Sequence, residues 1–339
     1  MATKRSIPYS MFDRDSYGLA AKNAKILERV YHKGHAHGWD GKEVLSSLIA
    51  EHGTPTMNDT QKQALGRVFS IILWGELAAW RISAELADEI EPFEPKMAAT
   101  SQAFDEARHF YVMHDYLEVL GVRPDGIHWG ARRLLEKVMN ADNLAKKLLG
   151  MQLMVEPVAL TLFHIVKDLN VEPVLTHLLP YYERDEARHV ALGVQYLPAL
   201  MKNMSVSERL GLFAFQFELI SYEIATNYLL MRDLEVLGVD PRALIDVGKA
   251  KQIKAMEAVL ESLDVKATYP TMIIDRYADA VTELTLPASS NAGNLWTRLK
   301  SVSDIIRNGR PSVADHELVP TIGDEQTPLA TGGRMRRAA

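Results

Sequence analysis

The sequence contains no cysteine among its 339 residues. Without thiols the chain can form neither disulfide bonds nor the thiolate ligands of structural zinc, an iron–sulfur cluster or a rubredoxin-type iron centre. The chain also lacks an excess of positive charge, since its formal net charge is −6. A basic surface is the electrostatic signature of nucleic-acid binding, so we expect no nucleic acid as a partner.

Secretion and membrane signals are weak. Residues 1–18 lack the charged start and apolar run of a secretory signal, so we predict a cytoplasmic protein. The apolar stretch Leu148–Val166 is long enough to raise the question of a membrane span. Glu156 is its only formally charged residue, and we interpret the stretch as a helix buried on all sides. Peripheral contact with a membrane surface stays open as a lesser alternative.

What the sequence does contain is a repeated pentapeptide, Asp-Glu-Ala-Arg-His, at 105–109 and 185–189. The Glu and His of each copy are three residues apart and therefore share a helix face. Glu76 lies 30 residues before Glu106, and Glu156 lies 30 residues before Glu186, each in an apolar run. That interval allows a helix, a short turn and a return along an antiparallel neighbour. Each upstream glutamate can therefore lie level with one Glu-x-x-His pair.

Two such helix pairs, packed together, would bring four carboxylates and two imidazoles to one point. These candidate metal ligands are Glu76, Glu106, His109, Glu156, Glu186 and His189. Four buried carboxylates cannot stay unpaired at a tolerable free energy, and two divalent cations would balance them. Oxygen donors with two imidazoles and no thiolate favour iron or manganese over structural zinc. Salt bridges on solvent-facing helices are the alternative, but they do not explain glutamates isolated in apolar runs.

The remaining charged residues of the repeat predict a second layer around these ligands. A ligating histidine usually donates its other ring N–H to a carboxylate, which fixes its tautomer and orientation. We therefore expect Asp185 to hold His109 and Asp105 to hold His189 across the repeat's pseudo-twofold axis. Arg108 and Arg188 would compensate the two aspartates, although solvated charges on a helix face explain the arginines equally well.

At these residues, roughly from Leu65 to Leu200, the sequence resembles the ferritin-like superfamily of di-iron carboxylate proteins. The Asp-Glu-x-Arg-His form is most similar to the O₂-activating branch, which includes bacterial multicomponent monooxygenases, acyl carrier protein desaturases and related oxidases. The resemblance implies an all-α fold, a ferritin-like four-helix bundle with extra N- and C-terminal helices. It also implies two iron ions, or a manganese–iron pair, bound by the six residues, with Glu106 and Glu186 bridging.

The activity that this resemblance implies is that of a di-iron oxygenase or oxidase. The six ligands would form its catalytic centre, and O₂ would oxidise a small apolar or aromatic molecule by hydroxylation, N-oxygenation or desaturation. Since the chain has no cysteine for an electron-transfer centre of its own, we expect an external donor, a ferredoxin or a reductase. We also expect a homodimer. The alternatives are a ferritin- or rubrerythrin-like protein that handles iron or scavenges peroxide, and an interaction protein with an inert metal site.

No single subfamily matches throughout. Met113 stands where the radical-bearing ribonucleotide reductase subunit has tyrosine, Ala159 where rubrerythrins add a carboxylate, and Tyr182 where arylamine N-oxygenases add a histidine. These departures leave the substrate open.

Positions one helical turn from a ligand should line the site. They predict a substrate pocket made of Trp80, Gln102, Phe110, Met113, Gln152, Leu160, Phe163, Tyr182 and Glu183. Each of these residues, taken singly, is explained as well by an ordinary helical core. Glu218 and Glu223 also lie in apolar surroundings, where a proton or substrate path is one interpretation and a satisfied core carboxylate is the favoured one.

Turn signals divide the chain into four segments. They are accessory N-terminal helices in 1–58, the di-metal bundle in 59–200, additional packing helices of the same domain in 201–300, and a largely flexible tail in 301–339. The bundle helices are predicted at 59–91, 96–120, 131–169 with a break near 140–143, and 174–197. Pro180 and Pro198 should bend or end the last of these.

Overall fold

The computed structural model describes residues 24–124, 126–288 and 293–310. Every regular element within these ranges is helical, which confirms the all-α prediction. The helices are α1 (Ala24–Ala36), α2 (Gly41–His52), α3 (Asp59–Glu89), α4 (Phe93–Leu120), α5 (Trp129–Met139), α6 (Leu144–Leu148), α7 (Glu156–Asp168), α8 (Pro173–Lys202), α9 (Val206–Val236), α10 (Pro241–Glu261), α11 (Thr268–Thr285) and α12 (Leu295–Asn308). A π-helical segment, Leu149–Val155, joins α6 to α7.

Local capping explains why most predicted helix boundaries lie close to the observed ones. Asn58 begins α3 by accepting the backbone N–H of Gln61. Gly121, at a φ of 75°, ends α4 in the left-handed conformation that glycine adopts without strain. Ser205 and Glu208 form a reciprocal capping box at the start of α9.

One predicted helix end, that of α8, is wrong for a tertiary reason. Helix α8 continues through both Pro180 and Pro198 to Lys202. A proline inside a helix costs about 3 kcal/mol, but α8 is buried along most of its length against α7, α4 and α10. Packing of an apolar face therefore outweighs the local preference to stop.

Helix α12 extends through Asn308, into the segment that the sequence predicts to be a largely flexible tail. Ile305 is the only buried residue of that helix, although apolar residues recur along it at helical spacing. The rest of the predicted tail, residues 311–339, and the N-terminal residues 1–23 lie outside the described residues.

Helix α3 packs along α4, α7 packs along α8, and α4 contacts α8. The apolar side chains of these helices form two clusters. One joins residues of α3 before Glu76, such as Phe69 and Leu73, to residues of α4 after His109, such as Val112. The other joins later residues of α3, such as Ile82, to earlier residues of α4. The level of the predicted ligands therefore lies between two apolar cores.

Helices α5, α9 and α10 pack against this arrangement from outside, with α9 contacting α3, α5 and the π segment. Among the described residues, one helical stretch, Leu144–Asp168, is long and apolar enough to cross a membrane. Most of it is buried by neighbouring helices, as a core helix is.

Gly193 of α8 lies so close to the π segment that a Cβ there would be 2.8 Å from Cβ of Gln152 and 2.9 Å from Cδ2 of Leu153. We expect Gly193→Ala to lower the free energy of unfolding by about 1–3 kcal/mol, because overpacking exceeds the gain in helix propensity. Urea denaturation measures the change.

Gly211→Ala on α9 is the matched control, because a Cβ there meets nothing within 4 Å. It should stabilise the chain by up to about 1 kcal/mol. Equal stabilisation by both substitutions would show that α8 and the π segment are not in tight contact.

Candidate metal centre

The structure brings all six predicted ligands together at the level between the two apolar cores. All six residues are buried. They form two groups in which one donor atom from each residue lies within 4.8 Å of the others. The first group is Glu76, Glu106, His109 and Glu186; the second is Glu106, Glu156, Glu186 and His189.

Glu106 and Glu186 belong to both groups, and each presents one oxygen to each histidine. Nδ1 of His109 lies 3.5 Å from Oε2 of Glu106 and 3.2 Å from Oε1 of Glu186. Nδ1 of His189 lies 3.0 Å from Oε1 of Glu106 and 3.0 Å from Oε2 of Glu186. Donors about 2.1 Å from one ion and at right angles to each other lie about 3 Å apart. The spacing therefore suits one cation in each group, with two glutamates shared between them.

Unsatisfied atoms support a cation site. Oε2 of Glu106, Oε2 of Glu156 and Nδ1 of His109 are buried without a hydrogen-bond partner in the described part of the chain. A buried polar atom without a partner costs about 1–3 kcal/mol. Glu76 and Glu156, which belong to one group each, face the histidines His109 at 3.4 Å and His189 at 3.9 Å. The residues present thus fit two oxygen-preferring divalent ions.

The pKa shifts of the buried residues also indicate that the centre needs positive charge. Burial raises the pKa of Glu76 and of Glu156 well above the usual range. Burial lowers the pKa of His109, but Asp185 and the neighbouring glutamates outweigh it and hold that pKa well above its ordinary value. His189 shifts the same way, with Glu106 as the main opposing charge. Without a cation, protons would have to balance these carboxylates, so metal binding should release protons and weaken as the pH falls.

Glu106 differs from Glu76 and Glu156 in the direction of its pKa shift. Burial opposes its ionisation, but His189 and His109 outweigh burial and keep its pKa well below the usual range. A carboxylate that stays ionised between two histidines is suited to bridging.

The two aspartates of the repeat lie behind the histidines in the crossed arrangement expected from the sequence. Nε2 of His109 is 3.3 Å from Oδ2 of Asp185, and Nε2 of His189 is 3.4 Å from Oδ2 of Asp105. Because each Nε2 faces an aspartate, each Nδ1 is left to face the glutamates.

The two arginines complete a closed ring of charges. Arg108 Nη2 donates to Asp105 and, at 2.8 Å, to Asp185. Arg188 Nη2 donates to Asp105 at 2.8 Å and to Asp185 at 2.9 Å. Both guanidinium groups are buried, so the interpretation as solvated helix-face charges is wrong. Two acids and two bases cancel each other's charge and hold the imidazoles in place.

Sequence reasoning missed Trp39. This residue lies in the turn between α1 and α2, and its Nε1 donates to Oδ2 of Asp185 at 2.7 Å. Its indole ring lies 4.8 Å from the guanidinium of Arg108, within the range of a cation–π contact. No spacing rule links Trp39 to Asp185, 146 positions away. The accessory N-terminal helices are thereby part of the support of the centre.

Tyr182 and the two glutamines predicted for the substrate pocket contact the ligands themselves. Tyr182 stacks on His109 at a ring distance of 4.4 Å and donates to the carbonyl oxygen of that residue. Gln102 Nε2 donates to Glu156 at 2.6 Å and to Glu106 at 3.1 Å, and Gln152 donates to Gln102. These side chains fix the positions of the ligands.

The π segment ends directly at Glu156, whose backbone N–H donates to the carbonyl oxygen of Met151 five residues earlier. A π turn holds one more residue than an α turn requires, so it rotates the residues that follow relative to those before it. The sequence predicts a break in this helix near 140–143, which the structure confirms between α5 and α6. It does not predict the π segment.

A cavity of about 110 Å³ adjoins Glu76, Glu106, Glu156 and Glu186. Its other walls come from α3, α5, the π segment, α7 and α9, and include the apolar residues Ile72, Leu135, Met151, Leu162 and Leu230. Glu223, Thr226 and Asn227 of α9 add polar groups.

None of the nine residues of the predicted substrate pocket lines this cavity. Trp80 is 40% exposed, Glu183 pairs with Lys167, and Phe110, Met113, Leu160 and Phe163 pack in the apolar cores. The remaining three are Gln102, Gln152 and Tyr182, which contact the ligands. Residues one helical turn before and after a ligand lie on either side of that ligand, and spacing alone does not tell which of them faces the cavity. The packing of α5 and α9 decides which side faces open space.

Glu218 and Glu223 of α9 have different surroundings in the structure. Glu218 forms a half-exposed ion pair with Lys137 at 2.7 Å. Glu223 is 8% exposed and lines the cavity, where its Oε2 accepts a hydrogen bond from Gln252. Burial raises the pKa of Glu223 to about 8.

Comparison of the chain with protein-family models and with curated proteins found no match.

Asp105→Asn and Asp185→Asn should each weaken divalent-metal binding about 10–100-fold, because the amide orients and polarises the imidazole less well than a carboxylate does. Titration against a chelator of known affinity measures the change. Asp233→Asn, which alters an ion pair with Arg67 at the surface, is the matched control and should leave metal affinity unchanged. Equal losses in all three variants would contradict the assigned role.

Glu223→Gln should change how the stability of the protein depends on pH. Because the folded state raises the pKa of Glu223, the folded chain keeps a proton that the unfolded chain has released above about pH 5. The wild-type stability should therefore fall, from this group alone, by about 1.4 kcal/mol per pH unit until about pH 8. The variant lacks this slope, so its advantage should grow between pH 5 and 8 and then level off.

Denaturant unfolding at several pH values measures this difference. Glu218→Gln serves as control, because Glu218 lies on the same helix but forms a half-exposed ion pair with Lys137. Its plot of unfolding free energy against pH should run parallel to that of the wild type. A Glu223→Gln curve parallel to the wild type would mean that Glu223 is ionised in the fold.

Proposed function

We propose that the protein is a di-iron oxygenase or oxidase of the ferritin-like superfamily, which uses O₂ to oxidise a small organic molecule. The observation that carries the proposal is the apolar cavity beside the candidate metal centre, lined by all four of its glutamates. A substrate in this cavity would lie directly against the carboxylate side of the centre.

The donor set supports two ions that cycle between oxidation states. Four glutamates balance two ferrous ions formally, with both histidines neutral. Bound at Glu76, Glu106, His109, Glu156, Glu186 and His189, the ions would supply the activation of O₂ and the electrons passed to it. A manganese–iron pair suits the same donors.

The chain's own residues hold the ligands in position and exclude water. The ring of Asp105, Arg108, Asp185 and Arg188 orients the imidazoles, and Gln102 holds Glu156 and Glu106. The apolar walls keep water away from the reacting face, which protects a strong oxidant from side reactions. Pre-set ligands need little rearrangement during the reaction.

An iron-handling or peroxide-scavenging role is the competing function. The cavity favours the organic substrate, because a hydrated iron ion gains nothing from walls of Ile72, Leu135, Met151 and Leu162. The external electron donor, whether a ferredoxin or a reductase, stays a prediction, as do the homodimer and the cytoplasmic location.

The full-length protein, loaded with ferrous iron and given O₂, a chemical reductant and a panel of compact apolar molecules, should oxidise at least one of them. Mass spectrometry with ¹⁸O₂ identifies hydroxylated or N-oxygenated products, and desaturation appears as a loss of two hydrogens. Glu156→Ala should reduce the product to background, because it removes a donor from one of the two groups.

Glu183→Ala is the matched control, since Glu183 lies one helical turn from Glu186 but pairs with Lys167 and His164. It should retain the wild-type yield. Ferric mineral accumulating beyond two ions per chain, with no organic product from any compound, would replace the proposal with the iron-handling function.

A further inference from the structure

Helix α9 introduces polar groups into the cavity without contributing any of the six candidate ligands. Glu223 and Asn227, one helical turn apart, line the cavity together with Thr226. Apart from these three residues and the four glutamates of the centre, every described residue that lines the cavity is apolar or a glycine. A molecule in the cavity would therefore meet polar groups in two places, at the centre and at α9.

The hydrogen bonds of Glu223 are incomplete. Gln252 Nε2 donates to Oε2 of Glu223 at 2.9 Å and also to the carbonyl oxygen of Met154 at 2.9 Å. Both amide hydrogens of Gln252 are thus used, and neither is left for Oε1. Oε1 of Glu223 is buried and has no partner among the described residues.

The protonation of Glu223 follows from this environment. No cation pairs with this carboxyl within the described ranges, and burial raises its pKa to about 8, so the neutral acid predominates at pH 7. Since Oε2 accepts from Gln252, the acid proton belongs on Oε1. Glu223 therefore offers one O–H donor for which the described residues provide no acceptor.

Asn227 complements this donor with an acceptor. Its Nδ2 donates to the backbone oxygen of Glu223 at 3.0 Å, which fixes the orientation of the amide. The side-chain oxygen of Asn227 then points away from that bond. A donor and an acceptor on adjacent turns match a hydroxyl group, which accepts one hydrogen bond and donates another.

We propose that Glu223 and Asn227 bind the polar end of the substrate, a compact neutral molecule with an apolar body and one hydroxyl group. The proposal rests on the proposed function only in calling that molecule the substrate. An anion is excluded because no Lys, Arg or His of the described residues lines the cavity to balance its charge. The volume of about 110 Å³ is of the same order as the ~150 Å³ apolar cavity known to admit benzene, so a single ring or a short chain fits.

This arrangement also implies where oxidation occurs. With its hydroxyl group held at α9, the substrate presents its apolar body to the four glutamates. The oxidised atom is then a carbon of that body, and the hydroxyl serves for recognition. Analogues that lack the hydroxyl leave Glu223 unpaired and should bind more weakly.

Benzyl alcohol and toluene are the matched probes, since they differ by the hydroxyl alone. Calorimetric titration uses the full-length, metal-loaded protein without O₂, so that no turnover occurs. The wild type should bind benzyl alcohol about tenfold more tightly than toluene. Glu223→Met, which keeps the volume and removes the donor, should abolish the preference while toluene binding stays within about threefold. Glu223→Gln, which still has an N–H donor, should retain part of it.

Glu218→Met controls for the loss of a glutamate from the same helix, and should keep the tenfold preference. If Glu223→Met does not fold, Asn227→Leu replaces it and should also lose the preference. Equal binding of the two probes by the wild type would overturn the proposal. Oε1 of Glu223 would then be taken to hydrogen-bond a water in the adjoining cavity of about 20 Å³. A preference that survives Glu223→Met, or tighter binding of benzoate, would overturn it as well.

Failure of this proposal is distinguishable from failure of the proposed function. Iron content and product yield are measured in the same variants. A tenfold probe preference in a protein that oxidises nothing supports the binding site and contradicts the oxygenase. Oxidation that proceeds equally well on both probes supports the oxygenase and contradicts the role of Glu223.

Discussion

The constraint on which this structure depends is the burial of four carboxylates between two apolar cores. Carboxylates in such surroundings are tolerated only when other charges or protons balance them. Glu106 and Glu186 contact both histidines, and each histidine is backed by an aspartate that two arginines neutralise. The two arginines thus balance the two aspartates, whereas no arginine or lysine within the described residues balances the four glutamates. Buried carboxylates in this situation favour the binding of cations.

The repeat makes the centre nearly symmetric, and its surroundings make it unequal. The rings of Trp39 and Tyr182 pack against His109, whereas Gln102 contacts Glu156. The cavity and the polar face of α9 lie against the carboxylates and not the imidazoles. Helix α9, which has no counterpart in the repeat, therefore gives the two sides of the centre different surroundings.

Prediction from sequence succeeded where interactions are local or repeated. Helix α3 begins at the predicted residue, and α3 and α4 end within two residues of their predicted ends, because caps and glycines act on adjacent residues. The convergence of Glu76 with Glu106 followed from helix rise and antiparallel return. The extension of α8 beyond Pro198 and the walls of the cavity were not predicted, because both depend on partners distant in the chain.

The sequence by itself determined the all-α fold, the six candidate donors, and the crossed pairing of aspartates with histidines. Spacings of three residues and of about one helix length translate directly into geometry when the backbone is helical. Only the tertiary structure decided that Trp39 reaches Asp185, that a π segment precedes Glu156, and that Glu223 faces the cavity. Each of these depends on how helices far apart in sequence pack side by side, and periodicity within one helix carries no information about its neighbours.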